Sequence, residues 1–390
     1  MLKCAARLER ATQMTSESLN PTSATKVAQP IKGRGGISNT QSRYIRVRSE
    51  LADDGWGCDP RADDRPPQTQ LFLDQTKKLI TTNQSPDISF RQSINPYKGC
   101  EHGCIYCFAR PTHAYLDLSA GLDFETKIFR KSNPRACLLG ELSRPNYACE
   151  VIAMGTNTDP YQPFERTQKV TREILETLYE CKHPVSIVTK SKLILRDLDL
   201  LERMAEEGLV NVNVSVTTLS NALKTKLEPR TASAAARLRA IAELRAHGVP
   251  TGALVAPIIP FINDHEIEDV VAAAAQAGAQ ALNYVLLRLP LEVAPLFTEW
   301  LKAHFPDRAK RVLAAVRETR GGSLYRSLWY QRMQGQGEIA ELIRARFRRA
   351  SKAHGLNDCA LPSVRTDLFE APAPLAMKTR NDRQMELFKA

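Results

Sequence analysis

Three cysteines, Cys100, Cys104 and Cys107, stand as C-x3-C-x2-C in the string NPYKGCEHGCIYCFARPTHAY, residues 95–115. Three thiolates this close in one loop can hold three corners of an iron-sulfur cube, leaving the fourth iron open to a cofactor or substrate. Zinc is the competing reading. A structural zinc site wants four protein ligands, commonly from paired C-x2-C halves, and only one such half exists, so His102, His113 or a distant residue would have to complete it. A disulfide leaves an odd thiol and needs an oxidising compartment, which nothing in the sequence supports. Tyr106 ahead of the last cysteine and Phe108-Ala109-Arg110 after it favour the cluster.

A reactive loop needs a scaffold, and from about residue 87 the pattern alternates short apolar runs with longer helical ones. Strands are expected over 88–94, 151–155, 185–189, 210–217, 251–257 and 281–287, and helices over 171–181, 197–207, 233–247 and 266–278. Strands alternating with helices imply a parallel sheet. The expected fold class is α/β: a partial (β/α)6 TIM-like barrel with an extended N-terminal arm and a C-terminal helical cap. Residues 1–84 read as an extended or partly disordered arm, 85–290 as the barrel, 291–361 as a basic helical cap and 362–390 as a flexible tail. Active sites of barrels lie at the carboxyl ends of the strands, where the cysteine loop falls because it follows the first strand.

The chain of 390 residues is 43% hydrophobic and has no apolar run long enough to span a membrane. Its nine irregularly spaced cysteines fit a reducing cytosol, so a cytoplasmic protein is expected. Residues 1–26 are rich in Ser, Thr and Ala, but Glu9, Glu17 and the missing apolar segment argue against a processed signal and for an overlong start or a disordered tail. In the arm, KGRGGISN lacks the GK[ST] ending of a phosphate loop, while Tyr44 and Trp56 suggest docking on the barrel. The net charge of +11 makes a polyanion a plausible partner. Residues 301–352 concentrate the excess, with thirteen Lys or Arg against four Asp or Glu. Within 338–352, Ile339, Leu342, Ile343 and Phe347 recur at helical spacing, and Arg344, Arg346, Arg348, Arg349 and Lys352 take other positions.

The spacing C-x3-C-x2-C with an aromatic before its last cysteine resembles the signature of the radical SAM enzymes, and GCEHGCIYCFAR is similar to the branch containing spore photoproduct lyase. The resemblance covers about residues 85–290. It implies a 4Fe-4S cluster on Cys100, Cys104 and Cys107, whose open iron is chelated by the amino and carboxylate groups of S-adenosyl-L-methionine. One electron, from a donor such as flavodoxin or ferredoxin, then cleaves that cofactor to methionine and a 5'-deoxyadenosyl radical. By the same resemblance Tyr106 belongs to the cofactor site, Lys190 pairs with the cofactor carboxylate, and Ser215 contacts its ribose or amino group. The superfamily's Gly-Gly-Glu-like turn maps to Gly155-Thr156-Asn157, which has no Glu, leaving the amino contact to Thr156 or Asn157. Arg230, in Glu228-Pro229-Arg230, is a further carboxylate clamp, and Ala256-Pro257 and Tyr284 to Leu286 would line the adenine.

The sequence departs from the lyase where that enzyme carries a hydrogen-donating cysteine at the end of its second strand, since Met154 and Gly155 stand here. Cys149 lies seven residues before Thr156, about 23 Å along an extended strand, and reads as a buried strand residue, with Cys137 and Cys181 also packing. Thymine-dimer reversal by that route is therefore put in doubt. Two classes stay open: a radical SAM enzyme acting on nucleic acid or another polyanion, and a non-catalytic iron-sulfur or zinc nucleic-acid binder. Near the end, Gln384-Met385-Glu386-Leu387-Phe388 resembles the short peptide by which bacterial DNA repair and replication proteins bind the sliding clamp. Gln384 would meet the pocket rim and Leu387 and Phe388 would be its apolar anchors.

Overall fold

Hydrophobic alternation in the six expected strand regions is realised as one sheet in a computed structural model that describes residues 29–44, 67–356 and 358–373. The strands are β1 (Gln92–Ile94), β2 (Ile152–Met154), β3 (Val185–Thr189), β4 (Val210–Ser215), β5 (Thr251–Ile258) and β6 (Leu282–Leu286). They are parallel and ordered as in the sequence. In β3 and β4 the register pairs Val185 with Val210 and Ile187 with Val212, and all four are buried. The residues between them, Ser186, Asn211 and Asn213, take the opposite face, as the period of two requires. A (β/α)6 partial barrel follows.

Helices α1 (Val170–Glu180), α2 (Leu198–Glu206), α3 (Ala234–Ala246) and α4 (Ile267–Gln276) cover the apolar face. Their inward stripes, such as Ile174, Leu175 and Leu178 of α1 or Leu200, Leu201 and Met204 of α2, join the strand valines in one core. Each such side chain contributes roughly 1.5–3 kcal/mol on leaving water. Serine caps start α3 cleanly, with the Ser233 hydroxyl accepting from the Ala236 amide at 3.3 Å.

The cap comprises α5 (Val293–His304), α6 (Pro306–Glu318) and α7 (Gly337–Ala353). Phe297, Trp300 and Leu301 of α5 and Val312 and Val316 of α6 form a second core with Ile105 and Tyr106 of the cysteine loop. The cap therefore holds the loop from outside. Helix α7 packs on α4 and β6, its Phe347 ring 4.7 Å from that of Tyr284 and its Arg346 paired with Glu268 at 2.6 Å. Between α6 and α7 the segment 321–336 bridges the open side of the barrel. Met333 there accepts from the Leu286 amide of β6 at 2.9 Å, and Arg332 grips Asp87, ahead of β1, at 2.5 and 2.7 Å.

Several expectations change. The first strand starts at Gln92, not at 88, because residues 83–91 form the loop of a hairpin whose other strand, Ile80–Thr82, runs antiparallel to β1. That strand and Gln70–Asp74, paired with Lys127–Lys131, lie in what the sequence gives as arm. Residues 31–44 are also seated: Ile37 is buried, Tyr44 stacks on Tyr115 at 5.5 Å and Arg43 pairs with Glu292. The tail expected to be flexible from residue 362 is laid along the barrel through residue 373. The Arg365 amide donates to Gly208 and that of Glu370 to Cys181, each at 2.9 Å, and the Phe369 ring packs on Tyr147 and His183. These are non-local contacts to the amino ends of the strands, invisible in a local polar composition. Trp56, residues 1–26 and the clamp-like Gln384, Leu387 and Phe388 lie outside the described residues. Among the described residues no helix is long and apolar enough to cross a membrane.

Candidate active site at the carboxyl ends of the strands

The cysteine loop is built as a series of tight turns between fixed backbone points. The Cys100 amide donates to Phe124 at 3.0 Å, that of Cys107 to Cys104 at 3.2 Å, and that of Ile105 to Leu227 at 3.1 Å. Gly103 turns with φ +67°, and a Cβ there would sit 2.8 Å from the Glu125 carboxylate. Arg110, fully buried, latches the loop from inside: its Nε donates to the Cys104 carbonyl at 2.9 Å, its Nη1 to Ala120 and Gly121, and it pairs with Glu125. Glu125 also accepts the Gly35 and Gly36 amides at 3.0 and 2.7 Å. The glycine-rich KGRGGISN stretch thus cradles an internal carboxylate, and Glu125 is a residue the sequence reading passed over.

Cys100 and Cys104 are buried and Cys107 half-buried. Burial pushes the Cys104 thiol well above its ordinary pKa, with Glu228 and the other two cysteines adding to the rise. Burial likewise raises Cys107, with Cys100 adding. The three sulfurs therefore feel one another's charge, and ionising all of them requires a cation to coordinate. Among the described residues no three His, Cys, Asp or Glu side chains converge as around a single metal ion. Three cysteine sulfurs from one short loop, neighbouring one another with Lys190 close by, are a donor set that fits three corners of an iron-sulfur cluster. The histidines weighed as a fourth zinc ligand are engaged elsewhere: His113 faces the Lys127 carbonyl at 3.0 Å, and His102 Nδ1 lies 3.3 Å from Asp159.

Asp159, from the polar loop after β2, ties the ends of β2 and β3 to the cysteine loop. It accepts from the Thr189 hydroxyl at 2.7 Å, the Lys190 amide at 2.8 Å and the Tyr161 amide at 2.9 Å, besides meeting His102. Burial alone would pull the His102 pKa down, but Asp159 and Cys100 outweigh it and hold the imidazole up at about 10. Burial would raise the Asp159 carboxyl, and His102 with these donors brings it down to about 2. The sequence gives no sign of this buried ion pair, because its partners lie 57 positions apart.

Lys190 and Ser215 meet at the mouth. Lys190 Nζ donates to Ser215 Oγ at 3.0 Å, Ser215 Oγ donates to the Ala256 carbonyl at 3.2 Å, and the ammonium stands 5.9 Å from the Tyr106 ring centre. The Tyr106 hydroxyl is bonded to Glu228, whose carboxylate also takes the Thr217 hydroxyl at 2.6 Å and pairs with buried Arg237. Glu228 and Arg237 thus fix the aromatic residue between the second and third cysteines. Neither of these two roles is readable from spacing.

The other nominated residues stand apart from that group. Asn95, directly after β1, holds the turn after β2: its side chain bonds the Thr156 hydroxyl at 3.0 Å and accepts the Asn157 amide at 2.8 Å. Gly155 in that turn has φ +97°, and a Cβ would lie 2.1 Å from the Val188 carbonyl. Arg230 is paired with Glu101 at 2.9 Å and its amide donates to the His102 carbonyl, so it braces the cysteine loop. Cys149 lies in the segment before β2, not within it, and burial raises its thiol to about 11. Cys181 is buried in the main core, and Cys137 packs against it.

A partial barrel carrying three cysteines at its mouth is the arrangement of one enzyme class, and residues 94–274 match the radical SAM superfamily. The chain belongs to that superfamily, whose enzymes use a 4Fe-4S cluster and S-adenosylmethionine and need an electron donor. It is 36% identical over 290 residues to an uncharacterized protein of Mycobacterium tuberculosis, covering 72% of this chain and 83% of that one. An uncharacterized protein of Methanocaldococcus jannaschii is 27% identical over 238 residues, 61% of this chain and 85% of the other. Among solved structures, spore photoproduct lyase complexed with dinucleoside spore photoproduct superposes with a TM-score of 0.52 at 17% identity, over 73% of this chain and 79% of that one. At that identity the likeness is one of fold.

Proposed function

We propose that this protein cleaves S-adenosylmethionine reductively at the barrel mouth and directs the resulting radical at a phosphate-bearing substrate such as a nucleic acid. The observation that carries the first part is the Lys190–Ser215 pair beside Tyr106 in the cysteine loop. Cys100, Cys104 and Cys107 would hold the cluster, which when bound and reduced supplies one electron to the cofactor's sulfonium and releases methionine and a 5'-deoxyadenosyl radical. The chain's own residues do the rest. The Lys190 ammonium, already poised on a hydroxyl, offers a charge-assisted contact to the cofactor carboxylate. The turn carrying Thr156 and Asn157, pinned by Asn95, is offered to the amino group. Arg230 acts through Glu101, bracing the loop. Burial of the mouth against the cap excludes water that would quench a carbon radical. A small redox protein such as flavodoxin or ferredoxin is the proposed electron donor.

The substrate class rests on charge. The cap holds most of the chain's positive excess, with thirteen Lys or Arg against four Asp or Glu over residues 301–352. Anaerobic reconstitution with iron and sulfide, followed by dithionite and S-adenosylmethionine, should give 5'-deoxyadenosine by liquid chromatography. A protein that takes up a full cluster, or stoichiometric zinc, and forms none would be a non-catalytic binder, and the proposal would be wrong.

A further inference from the structure

At the foot of the barrel, opposite the cysteine loop, lies a cavity of about 870 Å³. Ser186 and Asn211 line it, and each stands four residues before Lys190 or Ser215 in the chain, about 13 Å down the strands. It is a separate place from the mouth. Its volume is that of a site for a small organic ligand.

The lining is unusual in what it leaves unpaired. Ser351 is 3% exposed, yet its hydroxyl has no hydrogen-bond partner, and Arg344 Nε has none either, while the 8% exposed Tyr284 hydroxyl faces the Arg344 guanidinium. A buried polar group without a partner costs about 1–3 kcal/mol, so two in one cavity call for something to satisfy them. Arg344, Arg348 and Ser351 share one face of α7 at spacings of four and seven. Neither arginine has a carboxylate in ion-pair range among the described residues, whereas Arg346, two positions along, is spent on Glu268. Burial raises the Tyr284 pKa while both Arg344 and Arg348 pull it down, which places both guanidinium groups close to that hydroxyl. Asn213 and Asn283 add amide groups from β4 and β6, and Asp358 is the one acidic side chain on the wall.

We propose that this cavity is a binding site for a small phosphorylated molecule of nucleotide size, its phosphate held between Arg344 and Arg348 with the Tyr284 and Ser351 hydroxyls donating to it. Two guanidinium forks and two hydroxyl donors match a phosphate's several acceptor oxygens, whereas a carboxylate offers only two oxygens to the same set. The site rests on nothing assumed about radical chemistry, and its test uses neither the cluster nor S-adenosylmethionine.

The test is calorimetric titration of the full chain with inorganic pyrophosphate and with ribose 5-phosphate at fixed ionic strength. The Arg344→Ala, Arg348→Ala double variant should lose at least about tenfold in affinity for both probes. Arg349→Ala, on the same helix with its side chain 80% exposed, should stay within about twofold of wild type. Tyr284→Phe removes a single hydroxyl beside Arg344 and keeps the ring that packs on Phe347, so it should fold normally and bind about three- to tenfold more weakly. If the double variant fails to fold, that single variant decides the matter. Absence of binding by the wild type at millimolar probe, an equal loss in Arg349→Ala, or unchanged affinity in Tyr284→Phe beside a misfolded double variant would each overturn the proposal.

Discussion

Lys190 Nζ lies 3.0 Å from Ser215 Oγ, joining the carboxyl ends of two neighbouring strands over the cysteine loop. The pair is reached from two separate parts of the sequence and meets only because β3 and β4 are in register, with Thr189 opposite Val214. Replacing either residue by Ala should leave iron content unchanged and weaken S-adenosylmethionine binding by about 1.5–3 kcal/mol, the range for a charge-assisted hydrogen bond. Equilibrium titration of the reconstituted variants checks this. Wild-type affinity in both would remove Lys190 and Ser215 from the cofactor site.

Each of Cys100→Ala, Cys104→Ala and Cys107→Ala should abolish the brown iron-sulfur absorbance and cofactor cleavage together, since a cube with two thiolates is not retained. Cys181→Ala, in the main core, should keep both. A triple variant that still yields 5'-deoxyadenosine would refute the assignment of the loop.

Asp159→Asn removes the charge facing buried His102, and its amide nitrogen can no longer accept from the donors on one side of that group. Breaking one side of a buried ion pair costs about 3–5 kcal/mol. Urea unfolding should show a loss of that size, partly restored by adding His102→Asn. A loss below about 1 kcal/mol would mean that the pair is not formed as described.

His183 supplies a pH dependence. Burial lowers its pKa to about 4 from 6.5, and its Nε2 lies 2.7 Å from the Tyr147 hydroxyl while Nδ1 faces the Pro184 carbonyl at 3.1 Å. Between those values the unfolded chain binds the proton and the folded chain does not. The stabilising effect is therefore complete above pH 6.5 and is lost as pH falls towards 4, by on the order of 1–3 kcal/mol. Thermal midpoints at pH 4.5 and 7.5 should differ by less in His183→Phe than in wild type. His113, lowered to about 4 by burial, accounts for part of the slope that remains. Equal pH dependence in the two proteins would count against this account.

Gly35→Ala would place a Cβ 1.8 Å from the Gly103 carbonyl, backbone against backbone. The arm should then lift from Glu125, at a cost of about 2 kcal/mol or more, and residues 31–44 should become sensitive to limited proteolysis. Unchanged resistance would show that the arm does not need this contact.

Local pattern was enough for most of the scaffold. Val185–Thr189 begins and ends where its alternation does, and the four outer helices lie within two residues of their expected ends, because both depend on the period of side chains about a short segment. The three cysteines were legible for the same reason: ligands supplied by one loop are near in space because they are near in sequence. Long-range partnership was what only the tertiary structure decided. Glu125 receives the Gly35 and Gly36 amides from 90 and 89 positions upstream as well as Arg110, Glu228 holds Tyr106 across 122 positions, and residues 362–373 settle on the amino ends of strands far upstream. Each of these buried charges or polar segments is stable only where a distant partner satisfies it, and the composition around it looks like an ordinary turn, a solvated face or a loose tail.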